Sequence, residues 1–270
     1  IMLKTKLNIY TGSLKQLNYE KIINVLIEFL KIDSFENKTK CIADYMEENY
    51  DKNTATITVR ETNEKLINLE RRRGARISFG EYSVEKLKII MLPIFEQIRL
   101  ENPEIDDIII EPSHGDILYY RVGDEFKFHR DKILDSSPGH DYTMYSLLIG
   151  LNTEPTGALF FDNYSMYDID LAEPWCCKGG ETLIVDPNNN EILKFPQSAT
   201  NGQFLIFPSQ EKHSGAKVLD GYKMCLKLDL WIKFEVYKPK FGVVVPTLTE
   251  RKPISEEVLQ LKICLTNLFH

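Results

Sequence analysis

Apolar residues follow two different periods along the chain, and the change comes shortly after position 100. Before it, apolar positions recur three and four residues apart over 14–30 and again over 83–98, which predicts two amphipathic helices. Ser83 is a candidate N-cap for the second helix, and Pro93 is expected to kink or divide that helix. The first part of the chain is therefore predicted to be mainly helical.

The second part of the chain has short apolar runs separated by Gly, Pro, Asn and Asp. Such runs predict short strands joined by turns, as in a β-sandwich or a barrel. Helices followed by a long β-rich stretch favour a barrel with helices packed on one outer face. A last amphipathic helix is predicted over 255–268. The predicted strands are Ile105–Ile110, Ile117–Val122, Tyr142–Leu151, Ala158–Phe161, Thr182–Val185, Gln203–Phe207 and Lys223–Phe234.

These patterns predict an α+β protein with three regions in one compact domain. Residues 1–103 form a mainly helical support region, residues 104–236 form the barrel, and residues 237–270 form an extension that carries the last helix. The 270 residues are enough for one large domain of this kind.

Composition narrows the classes of partner. Forty acidic residues against 33 basic ones give a net charge of -7, which argues against a nucleic-acid partner because phosphate neutralisation needs a basic excess. No apolar stretch approaches the ~20 residues that span a bilayer, so no membrane association is expected. The first residues lack the apolar run of a signal peptide, and the five cysteines show no repeated spacing. A cytoplasmic location with reduced thiols is the expectation.

One imidazole and one carboxylate stand two residues apart at His129 and Asp131. Side chains two apart on a strand point to the same side, so both can bind one ion. Alone this signal is weak, because such triplets are common in exposed turns. His213, after the strand predicted at 203–207, offers a second imidazole. Two histidines and one carboxylate form the facial triad of non-haem Fe(II) oxygenases, which leaves coordination positions open.

The run from His213 to Lys223 reads HSGAKVLDGYK. It resembles the His-x-Gly-x-x-Val-x-x-Gly-x-Lys run of the 2-oxoglutarate and Fe(II)-dependent oxygenases, in particular the prolyl 4-hydroxylase branch. Upstream, YRVGDEFKFH over 120–129 is similar to the approach to the iron in that family, and GGET over 179–182 resembles one of its strand openings. The resemblance covers roughly residues 104–235, with the motifs in the family's order.

The resemblance implies a double-stranded β-helix, or jelly-roll barrel. It implies Fe(II) bound by His129, Asp131 and His213, with 2-oxoglutarate as co-substrate, O2, and ascorbate as a further candidate cofactor. Lys223 would pair with the distal carboxylate of 2-oxoglutarate, and Tyr120 would hydrogen-bond the co-substrate.

Two further residues are candidates for co-substrate binding. Lys227 shares a strand face with Lys223 and could assist or replace it, although the spacing from His213 favours Lys223. Ser146, one strand away, could donate a further hydrogen bond.

The activity implied is hydroxylation with release of succinate and CO2, and the presence of Asp131 favours hydroxylation over halogenation. The closest resemblance favours a prolyl residue in a peptide or protein as the substrate. Three alternatives stay open: the same chemistry on a small molecule or another side chain, a catalytically inactive jelly-roll binding module, and a cupin-type isomerase. The isomerase would not need Lys223 or consume O2.

Two features depart from the family pattern, and a third is a basic run. The insertion and the basic run each have two possible interpretations. Gly150 stands where relatives often have a tyrosine. An apparent insertion between Asn152 and Gly179 is rich in aromatic residues and forms either a substrate lid or packing on the barrel rim. The basic run over 70–76 is either a solvated loop or a loop that contacts substrate.

Overall fold

The computed structural model describes residues 3–4, 9–33, 37–58, 65–131, 138–139, 141–152 and 177–234. The helix predicted over 255–268 and most of the predicted insertion lie outside these residues. Three α-helices are described: α1 (Gln16–Leu30), α2 (Lys38–Glu48) and α3 (Glu81–Glu101). Short 3-10 helices cover Asp51–Asn53 and Pro196–Ala199. No helix in this part of the chain combines the length and apolarity needed to cross a membrane.

The strands follow in chain order. They are β1 (Leu3–Lys4), β2 (Tyr10–Ser13), β3 (Ile57–Thr58), β4 (Lys65–Leu66), β5 (Ala75–Phe79), β6 (Ile105–Tyr120), β7 (Phe126–His129), β8 (Tyr142–Gly150), β9 (Cys177–Gly179), β10 (Thr182–Val185), β11 (Ile192–Phe195), β12 (Gln203–Pro208), β13 (His213–Gly215), β14 (Val218–Gly221) and β15 (Lys223–Phe234).

A seven-stranded antiparallel sheet runs through the molecule in the order β1-β2-β12-β8-β15-β6-β5. Side chains along its strands alternate between two buried faces, as the period of two requires. Ile117 and Tyr119 of β6 belong to the hydrophobic cluster shared with the helices, whereas Leu118 and Tyr120 belong to a second cluster on the opposite face. Because both faces are covered, consecutive residues of β8 and β15 are buried.

The helices cover the first face of this sheet. Apolar positions of α1 and α3 that recur at helical spacing, including Ile22, Leu26, Leu87 and Met91, are buried in one cluster with the sheet. Helix α1 lies where the sequence predicts it.

The beginning of α3 corrects the sequence prediction. The N-cap is Gly80 and the helix starts at Glu81, so the predicted cap Ser83 is already inside the first turn and is buried. The helix also continues through Pro93 without dividing. Met91 and Ile94, on both sides of the proline, are buried against the same cluster, and this packing holds the two halves together.

A four-stranded antiparallel sheet in the order β11-β10-β13-β7 lies on the second face of the large sheet. Ile184 and Phe195 of this small sheet pack with Leu148 and Leu205 of the large sheet in one buried cluster. The fold is thus α+β, as predicted, with a helical layer, a large sheet and a small sheet. Residues 1–103 also contribute β2 and β5 to the large sheet.

Strand β15 lies inside the large sheet and places a row of polar side chains on the face toward the small sheet. Lys223, Lys227 and Asp229 alternate there with apolar residues that face the helices. On the small sheet, His129 of β7 and His213 of β13 are direct partners in the antiparallel register. The two sheets therefore bring the predicted functional side chains into one interior region.

Candidate metal centre and co-substrate pocket

Three predicted metal ligands meet at the ends of β7 and β13. The rings of His129 and His213 have centroids 4.2 Å apart. Asp131 follows two residues after His129, and its backbone N–H donates to the carbonyl oxygen of Ser209 at 3.0 Å. The ligand atoms of the three side chains all lie within 4.8 Å of one another. This spacing is compatible with a single metal ion bound by all three.

Backbone hydrogen bonds decide which nitrogen each histidine presents. Nδ1 of His129 lies 2.8 Å from the carbonyl oxygen of Lys127, and Nδ1 of His213 lies 2.8 Å from that of Glu211. A carbonyl can only accept, so each Nδ1 donates, and in the neutral ring Nε2 keeps its lone pair. The two Nε2 atoms lie 3.4 and 3.7 Å from the same oxygen, Oδ1 of Asp131.

The protonation state of His213 also favours metal binding. Burial lowers the pKa of His213 to about 4, so its Nε2 is deprotonated at neutral pH. The centre thus offers two imidazole nitrogens and one carboxylate oxygen, a donor set that suits Fe(II) and leaves positions for other ligands. The donor chemistry fits the metal that the motifs imply.

The second oxygen of Asp131 is held by the large sheet. Ser146 Oγ donates to Oδ2 at 2.9 Å, and the Lys227 ammonium lies 3.6 Å from the same atom. Burial alone would raise the pKa of Asp131, but Lys227 and the two histidines hold it well below its usual range. The hydroxyl of Ser146, predicted to bind co-substrate, is therefore directed at the carboxylate, and Oδ1 is left to face the histidines.

Lys227 is an ion-pair partner of two carboxylates. Its Nζ lies 2.6 Å from Asp229 Oδ1 in addition to its contact with Asp131. Burial would lower the pKa of Lys227, but the two carboxylates raise it above its usual value. Lys227 is thus a fixed positive charge next to the metal centre, and its charge is already used within the protein.

Lys223 has the opposite environment. It is 4% exposed, it pairs in register with Tyr120, and its Nζ lies 5.8 Å from the centroid of the Tyr120 ring. Burial lowers the pKa of Lys223, and only the longer-range effects of Cys225, Cys177 and Glu181 oppose this. Within the described part of the chain it forms no ion pair. A buried ammonium without a carboxylate partner suits an anionic ligand.

Aromatic rings shield the histidines. Phe126 stacks on His129 with centroids 3.6 Å apart, and Phe207 meets the His213 ring edge-on at 4.8 Å. These contacts restrict ring rotation and limit access of water to the imidazoles.

Gly150 has a steric explanation. A Cβ atom there would lie 1.9 Å from the carbonyl oxygen of Thr200 and 2.9 Å from that of Gln197. The backbone of the segment after Pro196 occupies the space that a side chain needs, so a tyrosine cannot fit at this position.

The basic run contains one buried arginine that the pattern did not single out. Arg71 and Arg73 are exposed, whereas Arg72 is 7% exposed and its guanidinium carbon lies 4.5 Å from the centroid of the Phe126 ring. The sequence pattern does not distinguish the arginines of the run, and only the tertiary structure shows which of them is buried.

The chain resembles several solved structures. They include a prolyl hydroxylase from Trichoplax adhaerens in complex with a hypoxia inducible factor peptide fragment (14% identity, 85% of each chain covered, TM-score 0.46). A Pseudomonas putida prolyl-4-hydroxylase matches at 14% identity over 84% of this chain and 92% of that one, with a TM-score of 0.42. A 2OG-Fe(II) oxygenase family protein from Burkholderia pseudomallei matches at 11% over 71% and 77%, with a TM-score of 0.39.

These neighbours come from the superfamily that the motifs resemble. No protein-family model matches the sequence, and no curated protein does so either. The TM-scores of these matches are all below 0.5 and do not assign an activity to this chain. An activity has to be argued from the residues of the chain's own site.

Proposed function

We propose that the protein is an Fe(II)- and 2-oxoglutarate-dependent oxygenase with His129, Asp131 and His213 as metal ligands. One observation carries the proposal. Two Nε2 atoms, each left available by a backbone hydrogen bond at Nδ1, converge with Asp131 Oδ1. The same interior face holds the buried Lys223, which has no ion-pair partner among the described residues. The catalytic core would be the region 104–236 in a jelly-roll arrangement, with 1–103 as its support and 237–270 as an extension.

The chemistry comes from the bound metal. Fe(II) held by these ligands, with 2-oxoglutarate and O2, would convert the co-substrate to succinate and CO2 while one oxygen atom enters a C–H bond of the substrate.

The protein's own residues bind and orient. The Lys223 ammonium binds the distal carboxylate of 2-oxoglutarate, next to the Tyr120 ring. Lys227 is less suited to this task because Asp131 and Asp229 already neutralise it. Together with Ser146, Lys227 holds Oδ2 of Asp131, so that Oδ1 faces the metal position. Such supporting contacts orient a ligand and adjust its donor strength.

The substrate we propose is a prolyl residue in a peptide or protein, on the strength of the prolyl 4-hydroxylase-like motifs over 120–129 and 213–223. A small molecule or another side chain is the second candidate. An inactive binding module is disfavoured because, among the described residues, the buried Lys223 has no partner charge, at a cost in stability that a module without an anionic ligand would not recover.

The first experiment is an anaerobic titration of the metal-free protein with Fe(II) and then 2-oxoglutarate. A chelated keto acid on Fe(II) gives a visible charge-transfer band, which we expect in the parent, not in His129→Ala, and with weaker 2-oxoglutarate affinity in Lys223→Ala. The absence of a band from folded, iron-loaded parent protein would refute the proposal.

The substrate is tested separately. A library of proline-containing peptides, incubated with the active protein, should yield a product heavier by one oxygen together with succinate. Turnover of a small molecule but of no peptide would support the second candidate.

A further inference from the structure

The segment 71–74, directly before β5, connects the small sheet to the large sheet. The Arg73 N–H donates to Glu125 O and the Lys127 N–H donates to Arg71 O, both at 2.9 Å, which fixes this segment to β7 of the small sheet. A few residues later the same segment becomes β5 and pairs with β6 of the large sheet. Arg71 and Arg73 are exposed, whereas Arg72 is buried and its backbone forms an isolated β-bridge with Phe126.

Arg72 lies beside residues of the candidate site. Its guanidinium is above the ring of Phe126, and Phe126 stacks on His129. Burial raises the pKa of the Tyr120 hydroxyl, and Arg72 opposes that rise through its charge and a side-chain hydrogen bond. The segment also passes so close to Tyr120 that a Cβ at Gly74 would lie 2.7 Å from its ring.

Arg72 and Lys223 are two buried cations in one part of the interior. Burial raises the pKa of the Cys225 thiol, and both cations act on that thiol in the opposite direction, with Lys223 the stronger. In the described residues neither cation forms an ion pair, and the buried Nε of Arg72 has no hydrogen-bond partner. Two uncompensated buried charges of the same sign are unfavourable unless an anion joins them.

We propose that Arg72 is a second anchor for the anionic co-substrate and binds, together with Lys223, the distal carboxylate of the 2-oxo acid. This inference rests on the proposed function. A guanidinium can donate two parallel hydrogen bonds to a carboxylate, whereas an ammonium acts as a point charge. The two groups are therefore complementary, and together they select a 2-oxo acid that carries a second carboxylate.

The test compares two ligands and two neighbouring arginines. Binding of 2-oxoglutarate and of 2-oxovalerate, which has a methyl group in place of the distal carboxylate, is measured anaerobically on the Fe(II)-loaded parent, Arg72→Gln and Arg73→Gln. The charge-transfer band and calorimetry provide the dissociation constants. For Arg72→Gln we expect 2-oxoglutarate to bind roughly 10- to 100-fold more weakly, the loss typical of a charge-assisted hydrogen bond. Binding of 2-oxovalerate should not change, and the exposed Arg73→Gln should resemble the parent.

The outcomes separate this inference from the proposed function. A parent that does not bind 2-oxoglutarate refutes both. A parent that binds it, with Arg72→Gln within about twofold of that affinity, overturns only the role of Arg72. An equal loss for both ligands also overturns it, because a structural defect does not distinguish them.

A second variant covers the case in which Arg72→Gln does not fold, as judged by circular dichroism. Arg72→Lys keeps the buried charge and loses the paired donors, so we expect it to weaken 2-oxoglutarate binding several-fold and leave 2-oxovalerate unchanged. Parent-like binding of both ligands by folded Arg72→Lys, with Arg72→Gln unfolded, would assign Arg72 to folding alone.

Discussion

Replacing Lys227 by methionine removes the ammonium that pairs with both the buried Asp229 and the partly buried Asp131. Its Nζ lies 2.6 Å from Asp229 and 3.6 Å from Asp131. At an effective dielectric constant of about 20, these attractions are roughly 6 and roughly 5 kcal/mol before the desolvation of the ammonium is subtracted. Removing one partner of a buried ion pair costs about 3–5 kcal/mol net, and we expect a loss of that size in the free energy of unfolding of the metal-free protein.

The loss should depend on pH. In the parent, Lys227 helps to keep the pKa of Asp131 well below its usual range, so this stabilisation is present above the unfolded pKa of about 4. In Lys227→Met, both carboxylates are buried without that cation, their pKa values rise, and the variant loses stability as the pH rises. The difference between the proteins should thus grow between about pH 4 and about pH 7.

The assay is urea unfolding of the metal-free proteins, followed by circular dichroism at a low and a neutral pH. Lys194→Met, at an exposed position of β11, is the matched control and should have little effect. Replacing the pair together, in Lys227→Met with Asp229→Leu, should recover at least half of the loss, because the uncompensated Asp229 is gone. A loss below about 1 kcal/mol, or one that is the same at both pH values, would refute this reasoning.

Three further predictions concern the metal, the co-substrate and the fold. His129→Ala should weaken Fe(II) or Mn(II) binding by more than about 100-fold in anaerobic calorimetry while the circular dichroism spectrum is unchanged, because one of three ligands is lost. Burial lowers the pKa of Lys223, so 2-oxoglutarate affinity should fall as the pH rises through that pKa; Lys223→Arg, always charged, should not show this fall. Gly150→Ala should destabilise the protein by about 1–3 kcal/mol or more in urea unfolding, because its Cβ would overlap Thr200 O; a parent-like midpoint would contradict this.

Several elements of the fold follow from local pattern. Helix α1 and the strands β8, β10, β12 and β15 lie within a residue or two of their predicted bounds, because each has a strong period or an apolar run bounded by turn residues. Helix α2 was not predicted: its apolar positions are few, and it begins with the side chain of Asn37 accepting the Lys40 N–H at 3.1 Å. Strand β7 was not predicted either, because its burial pattern is set by strand partners that are distant in the sequence.

The sequence by itself determined the chemistry of the candidate site. His129 and Asp131 stand two residues apart, and His213 and Lys223 follow in the order of a known motif. The alternation predicted for 223–234 assigns Lys223 and Lys227 to one face. These are local relations, in which residue type and spacing are sufficient.

Only the tertiary structure decided how the charges are divided among partners. It directs Ser146 and Lys227 to Asp131, and it gives Lys223 no carboxylate partner within the described part of the chain. It also buries Arg72 but not Arg71 or Arg73, and it excludes a side chain at Gly150. Each of these outcomes depends on contacts between strands that are distant along the chain. Hydrogen bonds, ion pairs and steric overlap act over a few ångströms in space, and the spacing of residue types in the sequence does not contain those distances.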